Sequence, residues 1–280
     1  MVATPIGNLA DITLRALEVL QRADSVACED TRHTAALLGQ YGLHKPLLAV
    51  HQHNEAEAAH TVVQRLAAGQ RVVYVSDAGT PAISDPGARL VRTVQAAGHR
   101  VVPLPGASSV TTLLSACGAV DGGSAFHFVG FLSTKTAERQ RAVATLASQP
   151  AAQVLLEAPH RIQELAAALA VLGDRPVTVG RELTKQFEEV VTLPCADLPG
   201  WLASQPHRTK GEFALVLHAL PATENHANAL SERDLAVLHR LLAELPLKTA
   251  VQLAMEVLGK PRNPLYEAAL AWKSSQRESS

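Results

Sequence analysis

The chain has 280 residues, about twice the length of one ordinary domain, so two domains with room for a small third are expected. Its 47% hydrophobic and 18% charged residues exclude a disordered chain. A net charge of -1 excludes a protein that coats polyanions along its whole surface, although a local basic patch survives that average. Cys28, Cys117 and Cys195 stand far apart without Cys-x-x-Cys spacing, which argues against a disulfide framework or zinc ribbon and fits a reducing cytoplasm. No apolar run approaches the roughly 18 residues of a membrane span, and no basic segment followed by an apolar stretch opens the chain, so neither export nor insertion is expected.

Up to Cys117, short apolar runs alternate with helical patterns, the rhythm of an α/β domain. The runs Val26 to Cys28, Leu47 to Val50, Val72 to Val75 and Val101 to Leu104 are apolar on both faces, as in buried parallel strands. The clearest crossover helix follows Asn54, with Glu57 completing a cap, Ala59, Val62, Val63 and Leu66 on one stripe, and Gly69 as its stop. Gly118 to Gly123 marks a hinge, giving an N-terminal α/β domain over 1–117 and a second one over 118–221. Strands of the second domain are expected at Phe126 to Val129, Val154 to Leu156, Val177 to Val179, Val190 to Leu193 and Phe213 to Leu217. A helical module over 222–272 should hold three short helices, Arg233 to Ala243, Leu247 to Leu258 and Pro264 to Ala271, the first capped by Ser231 with Asp234. The polar tail over 273–280 lacks a packing face and is expected to be disordered.

Thr4 to Leu9 carries one glycine where a dinucleotide fingerprint needs three, and no Walker-type phosphate loop exists, so ordinary nucleotide binding is disfavoured. The segment Ser76 to Gly87 packs two glycines, two prolines and two aspartates behind the strand Val72 to Val75, at the carboxyl end where open α/β sheets bind ligands. Asp77 and Asp85 there would repel phosphate and favour a cation, an ammonium group or ribose hydroxyls, although an isolated Asp-Pro-Gly is more often only a turn. Pro105 to Ser109 offers small residues that let a ligand approach the backbone. Cys28 to His33, Glu157 to Arg161 and Arg181 to Lys185 place charges at further strand ends. Thr31 as a helix cap, or plain surface ion pairing, is the blander explanation. His51 and His53 form no metal set with any nearby ligand, so no metal is expected.

Read together, Thr4 to Thr13, Glu29 to His33, His51 with His53 to Glu55, Val75 to Pro81, Ser84 to Gly87 and Val102 to Gly106 resemble motifs of the tetrapyrrole methylase superfamily. So do Gly130 to Leu132, Glu157 to Arg161, Arg181 to Lys185, Lys210 to Glu212, Leu245 to Lys248 and Asn263 with Leu265 and Tyr266. The resemblance spans nearly the whole chain. The Arg-Glu-Leu-Thr-Lys run and the extended Asp-Ala-Gly-Thr-Pro loop make it most similar to the ribosomal RNA small-subunit methyltransferase I branch, the cytidine-2'-O-methyltransferases, rather than to the corrin-ring methylases. Departures are the short lead of Met1 to Ala3, which fits either a short first strand or a misplaced start, and Ala107 and Ser133-Thr134 where the family often has proline.

This resemblance implies two α/β domains with S-adenosylmethionine in the cleft between them and a small helix-turn-helix-like C-terminal module. It implies Pro5, Asp77, Gly79, Thr80, Ile83, Ser108 and Ser109 on the first-domain side of the cofactor, and Leu156, Arg181 and Ala214 on the second. It also implies 2'-O-methylation of a decoding-centre cytidine in small-subunit (16S) ribosomal RNA, a homodimer, and no membrane partner. Whether the naked RNA or the assembled 30S subunit is the substrate is left open. Glu182, Lys185 and Asp30 are the candidate catalytic residues, since in-line methyl transfer needs alignment and a proton acceptor. Arg32, Arg161, Lys210, Lys248, Lys260 and Arg262 are cast as RNA contacts. One rival is a tetrapyrrole methylase of the same fold, against which the helical tail speaks. The other is a non-enzymatic nucleic-acid binder, against which stand the near-neutral balance of that tail and the otherwise purposeless α/β domains.

Overall fold

The computed structural model describes residues 1–119, 125–220, 230 and 232–278, with only the backbone for 232 and 273–278. It divides into two compact units, residues 1–220 and the described residues after them.

In the first unit, β1 (Ser25–Cys28) is the centre of a parallel three-stranded sheet, flanked by β2 (Leu47–Ala49) and β3 (Val72–Val75). Val26 and Cys28 face a core shared with Ala16 and Leu20 of α1 (Leu14–Arg22) and Leu38 of α2 (Thr31–Gln40). Ala27 faces the opposite core with Ala58 and Val62 of α3 (Glu55–Ala67) and Leu90 and Val94 of α4 (Ala88–Ala96). Burial on both faces is why these strands read as unbroken apolar runs.

Three local expectations need correction. Val101 to Leu104 forms no strand, only a parallel bridge of Leu104 to Val2, because Pro103 and Pro105 have no N–H to donate to a ladder. Asp30, not Thr31, caps α2, its carboxylate accepting from the N–H groups of Arg32 and His33. Asn54 precedes α3 but turns its side chain back, accepting from His51 N–H at 2.8 Å and donating to the Ala49 carbonyl at 3.0 Å. The acid that does cap is Glu55, and it serves another helix. Its Oε1 accepts from Gly87, Arg89 and Leu90 N–H at 3.0, 2.9 and 3.1 Å, covering the start of α4 where Gly87 has no side chain to offer.

The second sheet has the order β4 (Phe126–Gly130), β5 (Ala152–Glu157), β8 (Phe213–Leu217), β6 (Pro176–Arg181), β7 (Glu189–Pro194), parallel between β4 and β5 and antiparallel elsewhere. One face packs Leu155, Leu215 and Val177 against α6 (Thr136–Ser148), α7 (Ile162–Leu169) and α8 (Leu198–Ala203). The other packs Val154, Ala214 and Val216 against Val110, Leu113 and Cys117 of α5 (Ser109–Cys117). Thus α5, which ends at the expected 117/118 boundary and was assigned to the N-terminal domain, buries its apolar face on the second sheet. Gly118 closes α5 with φ 59°, and the rest of the expected hinge, from Val120 on, lies outside the described residues.

The C-terminal unit is a three-helix module of α9 (Glu232–Glu244), α10 (Leu247–Leu258) and α11 (Arg262–Glu278), closed around Leu238, Leu242, Ala250, Val251, Ala254, Leu265 and Ala269. Ser231, the expected cap, lies outside the described residues. The last helix continues to Glu278 rather than stopping near Ala271, since Lys273 to Glu278 contains neither glycine nor proline to end it. Ser279 and Ser280 lie outside the described residues.

Candidate functional site

A cavity of about 320 Å³ opens between the loop after β3, the start of α5 and one end of the second sheet. From the first lobe it is lined by Ile6, Ala78 to Thr80, Ile83 to Asp85 and Ser108 to Val110. The second lobe contributes Phe131, Leu156 to Pro159, Gly180, Leu183 and Glu212 to Ala214. The β3 loop is tightly held. Gly79 exchanges both backbone hydrogen bonds with Thr4 at 3.0 Å, and its φ of 76° is a conformation that a side chain would strain. Thr80 donates its hydroxyl to the Ala107 carbonyl at 3.0 Å, tying this loop to the one that leads into α5. The Tyr74 hydroxyl donates to the Pro86 carbonyl at 2.8 Å and anchors the far end of the loop.

The charged groups in the lining are Asp85, Glu157 and Glu212, all acidic. Burial raises the Asp85 pKa, Asp77 reinforces the rise, and a hydrogen bond from Ser76 opposes it. Glu29, behind the same loop, is raised first by burial and then by Asp77, Asp85 and Asp30. Glu157 is fully enclosed. Its Oε1 accepts from Ala158 N–H at 2.9 Å and faces Arg161 Nε at 3.2 Å, an ion pair rather than an aligned hydrogen bond. The Arg161 guanidinium also donates through Nη2 to the Leu132 carbonyl.

Next to the cavity, residues 182–188 form a turn, with Glu182 at φ 52° and Thr184 at φ 66°. A β-branched residue in that region is held there only by its surroundings. Thr184 N–H donates to Glu188 Oε2 at 2.6 Å, and the Thr184 hydroxyl accepts from Asn8 N–H at 3.1 Å. The Lys185 ammonium donates to Glu182 and Glu212, 2.9 Å from each. Glu182 Oε1 also accepts from Glu212 N–H at 2.9 Å. Burial opposes the charge on both Glu182 and Lys185, but their hydrogen bonds prevail: the Glu182 pKa lies below its usual value and that of Lys185 above. The pair is therefore ionised at neutral pH.

Of the residues proposed from sequence for the cofactor, Gly79, Thr80, Ile83, Ser108, Ser109, Leu156 and Ala214 meet at this one cavity. Pro5, Asp77 and Arg181 do not line it. Pro5 is buried beside its neighbour Ile6, and Asp77 Oδ1 accepts from Asp30 N–H at 3.1 Å, tying the β3 loop to the start of α2. Arg181, buried, donates to the Lys210 and Phe187 carbonyls at 2.8 and 3.1 Å and pairs with Glu189 at 3.2 Å. Asp30 is occupied by its cap and by Arg32, whose side chain is 92% exposed. Arg161 is only 17% exposed, with its guanidinium already engaged. Lys210, Lys248 and Arg262 are exposed, Lys260 is half-buried, and the Arg262 guanidinium sits 5.8 Å from the Tyr266 ring centre. Sequence reasoning missed Phe131, Glu157 and Glu212 as lining, although each lay within a motif already singled out. Among the described residues no group of three His, Cys, Asp or Glu side chains could hold a metal ion, and no helix is long and apolar enough to cross a membrane.

Residues 1–199 match the model of the Tetrapyrrole (Corrin/Porphyrin) Methylases, and residues 228–273 match that of the RsmI C-terminal HTH domain. The chain is 46% identical over 272 residues to ribosomal RNA small subunit methyltransferase I of Escherichia coli O157:H7, covering 96% of this chain and 93% of that one. It is 43% identical over 273 residues to the protein of the same name from Haemophilus influenzae, covering 97% and 95%. In fold it is similar to uroporphyrin-III C-methyltransferase from Thermus thermophilus in complex with S-adenosylhomocysteine, at TM-score 0.51 and 19% identity over 77% of this chain and 94% of that one.

Proposed function

Because the chain belongs to the ribosomal RNA small subunit methyltransferase I family of the tetrapyrrole methylases, we propose that it methylates the ribose 2'-hydroxyl of a decoding-centre cytidine in 16S ribosomal RNA, using S-adenosylmethionine. The observation that carries this reading is the charge of the cavity: its lining holds no Lys, Arg or His, and with Glu157 paired to Arg161 and Glu212 to Lys185, Asp85 is the lining carboxylate that has no ion pair among the described residues. Such a wall disfavours a phosphate-bearing cofactor and suits one carrying a sulfonium and an ammonium group. Asp85 and the Gly79-Thr80 backbone would hold the cationic and hydroxyl groups. The start of α5 at Ser108 and Ser109 would take a carboxylate, because the Ser108 side chain does not cap the helix and a helix start favours an anion. When bound, S-adenosylmethionine supplies an electrophilic methyl group.

The chain's own part is to align the hydroxyl and accept its proton. Glu182 already accepts two hydrogen bonds and has a lowered pKa, so it is a poor base and is better suited to holding Lys185. Glu212 lines the cavity, keeps its side chain 73% exposed and has only one oxygen engaged by Lys185, which suits it to accept the proton. Asp30 is committed to its helix cap. Exposed Arg32, Lys210, Lys248 and Arg262, with Lys260, would meet RNA phosphates. The working form in this reading is a cytoplasmic homodimer, with the RNA or the assembled 30S subunit as partner. The test is calorimetry with S-adenosylmethionine, with and without chelator, followed by transfer of labelled methyl groups to ribosomal RNA and to 30S subunits. Cofactor binding unaffected by chelator, with label on a cytidine ribose, is expected. Loss of binding on chelation, or label found only on a tetrapyrrole acceptor, would overturn the reading.

A further inference from the structure

Phe131 stands immediately after the edge strand β4, at the mouth of the cavity. This residue is 52% exposed to water, whereas the other aromatic residue in the lining, Phe213, is 3% exposed and belongs to the wall. The loop that carries it is fixed from both sides. Leu132 is buried in the core, and its carbonyl accepts from Arg161 Nη2. The Ser133 hydroxyl donates to Glu138 at 2.7 Å, and the Ser133 and Thr134 carbonyls accept from the buried Arg139 at 3.5 and 3.4 Å. An aromatic ring on a loop held this firmly loses little freedom on meeting a ligand.

We infer that Phe131 is the stacking platform for a nucleobase of the RNA substrate, positioning the nucleotide whose ribose enters the cavity. This rests on the reading above, and the chemistry follows from it. A 2'-hydroxyl inside a cavity of this size requires its nucleotide to leave the RNA stack, and the lost stacking has to be replaced by a π-face of the protein. A ring at the mouth meets the arriving substrate, whereas one in the floor would meet the cofactor. Stacking is indifferent to charge and compatible with an acidic wall that offers no basic group to a phosphate.

The experiment compares wild type with Phe131→Leu and Phe131→Trp, measuring S-adenosylmethionine affinity by calorimetry and KM and kcat for ribosomal RNA. The Leu variant should raise the RNA KM by about tenfold, in line with the loss of one base–aromatic stack, and leave cofactor affinity within about twofold. Phe131→Trp should restore KM. An RNA KM unchanged in Phe131→Leu, a parallel loss of cofactor affinity, or a Trp variant no better than Leu would overturn the inference. Absence of transfer to ribosomal RNA by wild type would instead overturn the functional reading on which it rests.

Discussion

Asp85 is the residue on which the cofactor reading turns, because it is a half-buried carboxylate in the cavity wall whose charge is already opposed by burial and by Asp77. A bound cation would relieve that opposition. Asp85→Asn keeps the shape and removes the charge, so S-adenosylmethionine affinity should fall by about tenfold or more, the scale of a lost charge-assisted hydrogen bond, while the thermal midpoint stays level or rises. Calorimetry and a melting curve on the same sample check both. The Glu182 and Lys185 pair makes a different prediction. A Glu with a lowered folded pKa adds stability that is complete above its unfolded value of 4.5 and disappears as pH falls through the folded one. Lys185, raised, adds stability that is complete below 10.5 and disappears as pH rises through its folded value. The thermal advantage of wild type over Glu182→Gln should therefore begin to shrink as pH drops below about 4.5 and vanish below the folded pKa, as melting across a pH series would show. At neutral pH, Glu182→Gln should slow single-turnover methylation without changing cofactor affinity. Unaltered turnover would leave the pair a purely structural role.

At the scale of elements, the cavity depends on how closely the Thr4 to Asn8 segment approaches the turn after β6. A Cβ on Gly7 would stand 2.9 Å from the Leu183 carbonyl oxygen and 2.8 Å from Thr184 Oγ1. Backbone on that side cannot step aside as a flexible side chain could. Gly7→Ala should therefore cost about 1 to 3 kcal/mol in chemical denaturation and also weaken cofactor binding, because the two walls of the cavity are forced apart. Gly39→Ala is the matched comparison. Inside α2, with nothing within 4 Å of the added methyl, it should stabilise by about 0.5 to 1 kcal/mol. Destabilisation of equal size in both variants would show that crowding at Gly7 is not the cause.

For the whole molecule, residues 1–220 contain both sheets and the entire cavity, and the helices from Glu232 onward close a hydrophobic core of their own. A chain ending at Leu220 should fold and bind S-adenosylmethionine yet methylate ribosomal RNA poorly. The proposed loss is that of phosphate contacts from Lys248, Lys260 and Arg262, so full-length RNA affinity should fall steeply with salt while cofactor affinity does not. RNA binding and methylation by both chains over a salt series measure this. Equal affinity and activity would reassign the module to packing or assembly.

Much of this was determined by sequence alone. Buried parallel strands write themselves as unbroken apolar runs, so β1, β2 and β3 were legible within a residue or so, as were β8 and α10. The loops after β3 and before α5 were legible as a site because glycine, proline and aspartate crowd there for reasons of local backbone geometry. What periodicity could not show was which distant group satisfies which. Glu55 looked like part of its own helix's start, yet it caps α4 more than thirty residues on, and Arg161 and Arg181, expected to contact RNA and cofactor respectively, are each committed to loop carbonyls. Val101 to Leu104 had a strand's composition, but its prolines removed the donors a ladder needs. Only the tertiary structure decided that Phe131 and Glu212 share a cavity with Asp85: the first two flank β4 and β8 of the second sheet, Asp85 sits on the loop after β3 of the first, and no local pattern encodes their meeting.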